Sequence, residues 1–300
     1  MDTISLLNTW AKHPKLKALN ALLNDPKAKN IIISGLKGSS KALSFASIAN
    51  IAINKKLTRP TTLFILNDKE EADYFFHDLT QMLGETNVML FPSSYRRAIK
   101  YNQKDAGSEI MRTEVLTRLA RQPENLLIVS YPDAIAEKVV SRQQLNNAAI
   151  NIKLDDTFDL DKLQERLTDI GFTATDYVYE PGQYASRGSI LDIYSYTSDK
   201  PFRLDFFGDV VESIRTFDVL TQLSDSKIET ATILPEMNDN ADNKVSLFHF
   251  LSDDSLFVVK DLDYALGCIK DISKEEYSQQ AIQEQEEKPE PSLPDQRSCR

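Results

Sequence analysis

At 300 residues the chain is long enough for two domains of ordinary size, and 41% hydrophobic with 27% charged residues is a globular composition. No run approaches the ~18 consecutive apolar residues of a membrane span, and residues 1–17 lack the basic start and apolar core of a secretory signal. The formal net charge of -10 argues against broad nucleic-acid binding, because non-specific affinity comes from neutralising phosphates with Lys and Arg. Cys268 and Cys299 cannot build a disulfide framework and fit a reducing cytoplasm. His13, His77 and His249 are far apart, with no cysteine or second histidine at ligand spacing, so no metal site is expected.

The first half alternates strand-like and helix-like segments. Residues 30–34 form a short continuous apolar run, as a strand covered on both faces would, and residues 40–53 read as a buried helix. Residues 61–66 read as a strand. A charged helix then opens at Asp68, a natural N-cap, and closes near Gly84, where a left-handed residue is wanted. A third strand at 88–91 is stopped by Pro92. Ile110, Met111, Val115 and Leu119 mark a helix over 108–122, and residues 125–130 give a fourth strand. This βαβα order predicts a parallel sheet with helices on its faces. Within residues 93–101, Arg96, Arg97 and Lys100 interleave with tyrosines. That pattern fits either a solvated loop or weak phosphate contacts.

Near residue 149 the period changes. Residues 149–154 alternate apolar and polar, while Leu160, Leu163, Leu167 and Ile170 mark a helix ending at Gly171. Strands follow at 189–194, 201–207 and 210–217, the last two joined by the turn signal Gly208-Asp209. Residues 233–235 and 255–260 are apolar again and suited to rejoin the first sheet. The expected fold class is therefore α/β: a degenerate RecA- or P-loop-like parallel-sheet domain with an inserted antiparallel α+β domain. The expected boundaries are 1–148 for the first part, 149–233 for the insertion and 234–273 for the return segment. Residues 274–300 are expected as a disordered or truncated tail.

Residues 33–42, ISGLKGSSKA, stand where a phosphate-binding P-loop would. Gly35 and Lys41 fit the pattern G-x-x-x-x-G-K-[ST]. Gly38 and Ser39 fall within the loop. Ser40 replaces the second glycine, and Ala42 replaces the hydroxyl residue that would ligate Mg²⁺. Two readings remain open: a turn with at most weak anion binding at the helix N-terminus, or retained ATP hydrolysis. In the strand at 201–207, Phe202, Leu204 and Phe206 share the core face. Phe207 falls on the polar face with Arg203, roughly 13 Å away along the strand. An aromatic beside an arginine on a wet face has the composition of a binding hot spot; the alternative is that Phe207 turns inward to cap the core. Arg187 has an alternative of its own, an internal salt bridge to Glu180 or Asp192.

Residues 179–194, YEPGQYASRGSILDIY, are followed by PFRLDFFGD at 201–209 and ESIRTFD at 212–218. This stretch of about forty residues resembles the segment shared by the repair protein UvrB and the N-terminal module of the Mfd family of bacterial transcription-repair coupling factors. The UvrB-like pattern runs from about residue 20 to 265. The decayed P-loop, and a segment at 91–108 too short for UvrB's DNA-probing hairpin, favour the Mfd side. Ser189 stands where the family often has a second glycine, and Tyr194-Ser195 where it often has Phe-Pro.

The resemblance implies a non-catalytic module, without cofactor of its own, that recruits UvrA in nucleotide excision repair through Arg187, Arg203 and Phe207, all three as surface side chains. It implies a cytoplasmic parent, an ATP- and Mg²⁺-dependent translocase that acts on RNA polymerase and double-stranded DNA and masks this surface until its motor engages DNA; the chain would be a fragment of it. The competing expectations are a UvrB-type ATP-dependent helicase or damage-verification subunit, and a purely structural brace holding the motor inactive.

Overall fold

The computed structural model describes residues 2–25, 27–94, 105–236 and 244–286. Two helices open the chain, α1 (Thr3–Trp10) and α2 (Pro14–Leu23), followed by α3 (Ser40–Asn54). Then come β1 (Thr62–Ile65), α4 (Lys69–Leu83), β2 (Val88–Leu90), α5 (Ala106–Ala120) and β3 (Leu127–Ser130). The Asp68 carboxylate accepts from the Glu71 amide at 2.9 Å and so starts α4; Gly84, at φ +78°, ends it. Short helices α6 (Pro132–Ala136) and α7 (Arg142–Ala148) lead into β4 (Ile150–Lys153). The antiparallel region follows with α8 (Leu160–Asp169), β5 (Thr173–Ala174), β6 (Gln183–Arg187), β7 (Ile190–Ile193), β8 (Phe202–Phe207), β9 (Val210–Phe217), β10 (Ser224–Ile228) and β11 (Thr230–Ile233). A 3-10 turn (Leu247–Phe250), β12 (Leu256–Val259) and α9 (Leu262–Glu286) close the described chain.

The strands form a parallel sheet of order β12-β1-β3-β2, a second sheet of order β10-β9-β8-β7-β6-β5, and the pair β11-β4. The second sheet is antiparallel apart from its β5–β6 edge. The fold is thus α/β with an antiparallel insertion. The pair β4–β11 joins the chain entering the insertion to the chain leaving it, in the register Ile150↔Ile233 and Ile152↔Ala231. Its inward residues belong to the core of the insertion, with Leu163 and Leu167 from α8 and Leu204, Phe206 and Ile214 from the sheet. Beyond β11 the chain returns: Leu234, Leu247, Phe250 and Ala265 are buried in the core of the parallel sheet, and β12 pairs with β1.

Two expectations fail. Residues 30–34 form no strand, and Ile32 is 96% exposed. Both neighbours of β1 are already filled, by β12 and β3, so no place beside it is open. Ile31 finds its burial instead against Leu16, Leu19 and Ile48. At the other end, α9 runs on to Glu286 where a disordered tail was expected from 274. Composition misleads there because Glu, Gln, Lys and Ala are polar or small yet good helix formers, and no proline interrupts before Pro289. Residues 287–300 lie outside the described residues.

Candidate functional site

The polar face of the large sheet is built by strand register. Across β6 to β9 one row reads Ala185, Asp192, Arg203, Arg215, and the next reads Arg187, Ile190, Asp205, Ser213. The period of two sends Phe202, Leu204 and Phe206 into the core, each at most 6% exposed, and leaves Arg203, Asp205 and Phe207 on this face. A bulge between Asp205 and Phe206 re-registers the hairpin so that Phe207 pairs with Val210. Gly208, at φ +62°, makes the turn. Phe207 stands 78% exposed at the tip, with Val210 partly exposed beside it.

The two arginines converge on one carboxylate. Asp192 is fully buried and accepts from Arg203 Nε at 2.7 Å, from Arg203 Nη2 at 2.9 Å, and from Arg187 Nη2. Arg203 also donates to the Gln222 carbonyl at 3.0 Å and lies 4.4 Å over the Phe217 ring. Its hydrogen bonds to Asp192 hold the guanidinium above its ordinary pKa, outweighing the opposing effect of burial. Arg187 donates to the Asp176 carbonyl at 3.1 Å and sits 5.0 Å from the Tyr177 ring centre. One carboxylate facing two guanidiniums leaves the cluster a net cation with both forks fixed in place.

Of the three residues singled out from sequence, the geometry therefore brings Arg187 and Arg203 together and leaves Phe207 separate at the hairpin. The internal partner of Arg187 is Asp192 rather than Glu180. Arg203, expected on the surface, is mostly enclosed: its side chain keeps 14% exposure against 34% for Arg187. The physical reason is its place between a buried carboxylate and an aromatic ring. Sequence reasoning missed Asp192 as the shared anchor, although an aspartate between Leu191 and Ile193 in a strand is the signal that could have found it. It also missed Arg215, which pairs with Asp205 at 3.2 Å on the same face.

Around the would-be P-loop, Gly35 and Gly38 take positive φ, +87° and +52°. Ser40 Oγ accepts from the Lys37 amide at 2.8 Å and donates to the Lys37 carbonyl at 2.6 Å, closing the turn on itself. Lys41 Nζ lies 3.4 Å from Glu71 Oε1, while Lys260 Nζ lies 2.5 Å from Glu71 Oε2. Burial raises the Glu71 pKa, but Lys260, the Asn67 amide and Lys41 outweigh it, so the carboxylate is held below its ordinary value. Ala42 is buried against the parallel-sheet core, and Ser39 leaves the first turn of α3 without a side-chain cap. The lysine that would reach a phosphate faces a carboxylate, and no hydroxyl stands where the metal ligand belongs. An expected outcome follows from linkage: millimolar ATP with Mg²⁺ should not move the melting temperature, and Lys41→Ala should leave any ATP turnover unchanged. A shift of several degrees, or turnover abolished by that substitution, would contradict this. Arg96, Arg97 and Lys100 lie outside the described residues.

The geometry defines a class: an antiparallel domain with one apolar and one polar sheet face, inserted into a parallel α/β domain. The sequence model of the UvrB interaction domain family matches residues 150–238. Similarity over a longer part of the chain points the same way. The transcription-repair-coupling factor of Bacillus subtilis (strain 168) is 28% identical over 204 residues, covering 68% of this chain and 16% of that protein. The Haemophilus influenzae protein of the same name is 32% identical over 164 residues, 54% of this chain and 14% of its own length. That of Escherichia coli K12 is 28% identical over 206 residues, 68% and 17% respectively. The aligned part thus amounts to about a sixth of the length of these curated relatives. Over 54–68% of its length the chain is thus similar to part of the transcription-repair-coupling factors, and its residues 150–238 match the UvrB interaction domain family.

Proposed function

We propose that this module is a non-catalytic docking piece that recruits UvrA, needs no nucleotide or metal to do so, and uses Arg187, Arg203 and Phe207 as its contact residues. The observation that carries the reading is an exposed aromatic at a hairpin tip on the same sheet face as a preorganised arginine pair, within the segment that matches the UvrB interaction domain. Aromatic and arginine side chains of this kind are what protein hot spots use, and a fixed guanidinium grips a partner carboxylate with little further ordering cost. In a longer parent, the same reading makes the module the link between a cytoplasmic, ATP-dependent translocase acting on RNA polymerase and duplex DNA and the excision-repair machinery.

The test is capture of purified UvrA by the isolated 300-residue chain without nucleotide. Stoichiometric capture is expected. No capture at micromolar concentrations would favour a structural brace, and capture that requires ATP hydrolysis by this chain would favour a helicase-type subunit.

A further inference from the structure

The net charge of -10 conceals two opposite regions. The segment matched as the interaction domain, residues 150–238, holds 17 Asp and Glu against 8 Lys and Arg. Residues 1–67 hold 10 Lys and Arg against 2 Asp, with no Glu. Eight of the ten cations, Lys12, Lys15, Lys17, Lys27, Lys29, Lys37, Lys55 and Lys56, are exposed, and none makes an ion pair among the described residues. The two carboxylates are engaged by backbone: Asp2 accepts from the Ser5 amide at 2.7 Å and Asp25 from the Lys27 amide at 2.9 Å.

Most of these lysines lie in sequence beside the residues of one small apolar cluster. Leu16 and Leu19 of α2 pack on Ile48 of α3, with Trp10, Leu23 and Ile31 around them. Lys15 and Lys17 stand on either side of Leu16 in sequence, Lys12 is two residues after Trp10, and Lys29 is two residues before Ile31. Arg59 Nη2 donates to Asn20 Oδ1 at 2.5 Å, which ties the chain just after α3, with Lys55 and Lys56, to the same helix α2.

We propose that this exposed, lysine-rich region of residues 12–56 is a second binding region, for the phosphodiester backbone of duplex nucleic acid, separate from the protein-docking sheet. Lysine is a compact, hydrated point charge, suited to an array of phosphates read without base contacts. Protein interfaces are depleted in lysine and enriched in arginine and aromatics, the opposite of this region. A backbone-binding surface next to a protein-docking domain would let one module hold its partner close to a duplex.

The test is fluorescence anisotropy of the whole chain with a labelled 25-base-pair DNA duplex across a salt series. Affinity should fall linearly with log salt, with about 0.9 of slope for each phosphate contact. The quadruple variant Lys12→Gln, Lys15→Gln, Lys17→Gln, Lys29→Gln should bind tenfold or more weakly and lose up to about 3.6 units of slope. Should that variant fail to fold, acetylation of the wild-type chain reads the same surface: DNA should protect these four lysines from acetic anhydride. Four results would overturn the proposal: no DNA binding at low salt; binding that survives the quadruple variant and is lost on changing Arg96, Arg97 and Lys100; absence of protection; or binding of polyglutamate or phosphatidylserine vesicles in place of DNA.

Discussion

Asp192→Ala should destabilise the chain by about 3 kcal/mol, the lower part of the range for removing one partner of a buried charge pair. Asp192 is wholly buried, and its loss strips the enclosed Arg203 of two charge-assisted hydrogen bonds while Arg187 turns to water. The natural control is Asp205→Ala. It breaks the Arg215 pair on the same face, but those side chains are 29% and 32% exposed, so a loss within about 1 kcal/mol is expected. Urea unfolding checks both: the midpoint should drop for Asp192→Ala with the slope unchanged. Equal, small losses for the two variants would show that the Asp192 cluster contributes nothing special to the fold.

The second large effect is on partner affinity. Arg187→Ala and Arg203→Ala should each weaken UvrA binding by tenfold or more, because a desolvated arginine at an interface commonly contributes more than the ~1.4 kcal/mol that tenfold represents. They should differ in stability. Arg187→Ala leaves the two-point Arg203–Asp192 contact intact and should stay within about 0.5 kcal/mol of wild type. Arg203→Ala leaves Asp192 with one cation and uncovers Phe217, so a loss of about 1–3 kcal/mol is expected. The expectation that all three site residues are surface side chains is thus revised for Arg203, whose side chain keeps 14% exposure. Arg203→Ala must be read against its own stability; an Arg203→Ala chain that is fully stable yet binds UvrA normally would remove Arg203 from the site.

What was legible in the sequence is what local patterning controls. The alternation of Phe202, Leu204 and Phe206 gave the core face of β8, and Asp68 with Gly84 gave both ends of α4, because each signal acts within a few residues. The strands β6 and β10 escaped. The first, QYASR, mixes small and polar residues, and the second, SDSKI, is almost wholly exposed, so neither carries the periodicity that betrays a strand. Residues 30–34 show the converse: the segment has strand composition, but whether it pairs is a tertiary matter, and Ile31 packs against α2 and α3 instead. The site was half legible for the same reason. Period two put Phe207 on the polar face but left an inward turn open, whereas the convergence of two arginines on Asp192 depends on the register of three strands.

Phe207 gives the most direct test, because it is 78% exposed. UvrA should be titrated by calorimetry into wild-type chain and into Phe207→Ala, with the melting temperature of each recorded in the same buffer. The account predicts at least a tenfold loss of affinity with no significant change in melting temperature, as truncating an exposed anchor that fills a partner pocket should give. Unchanged affinity in a fully folded Phe207→Ala chain would contradict it.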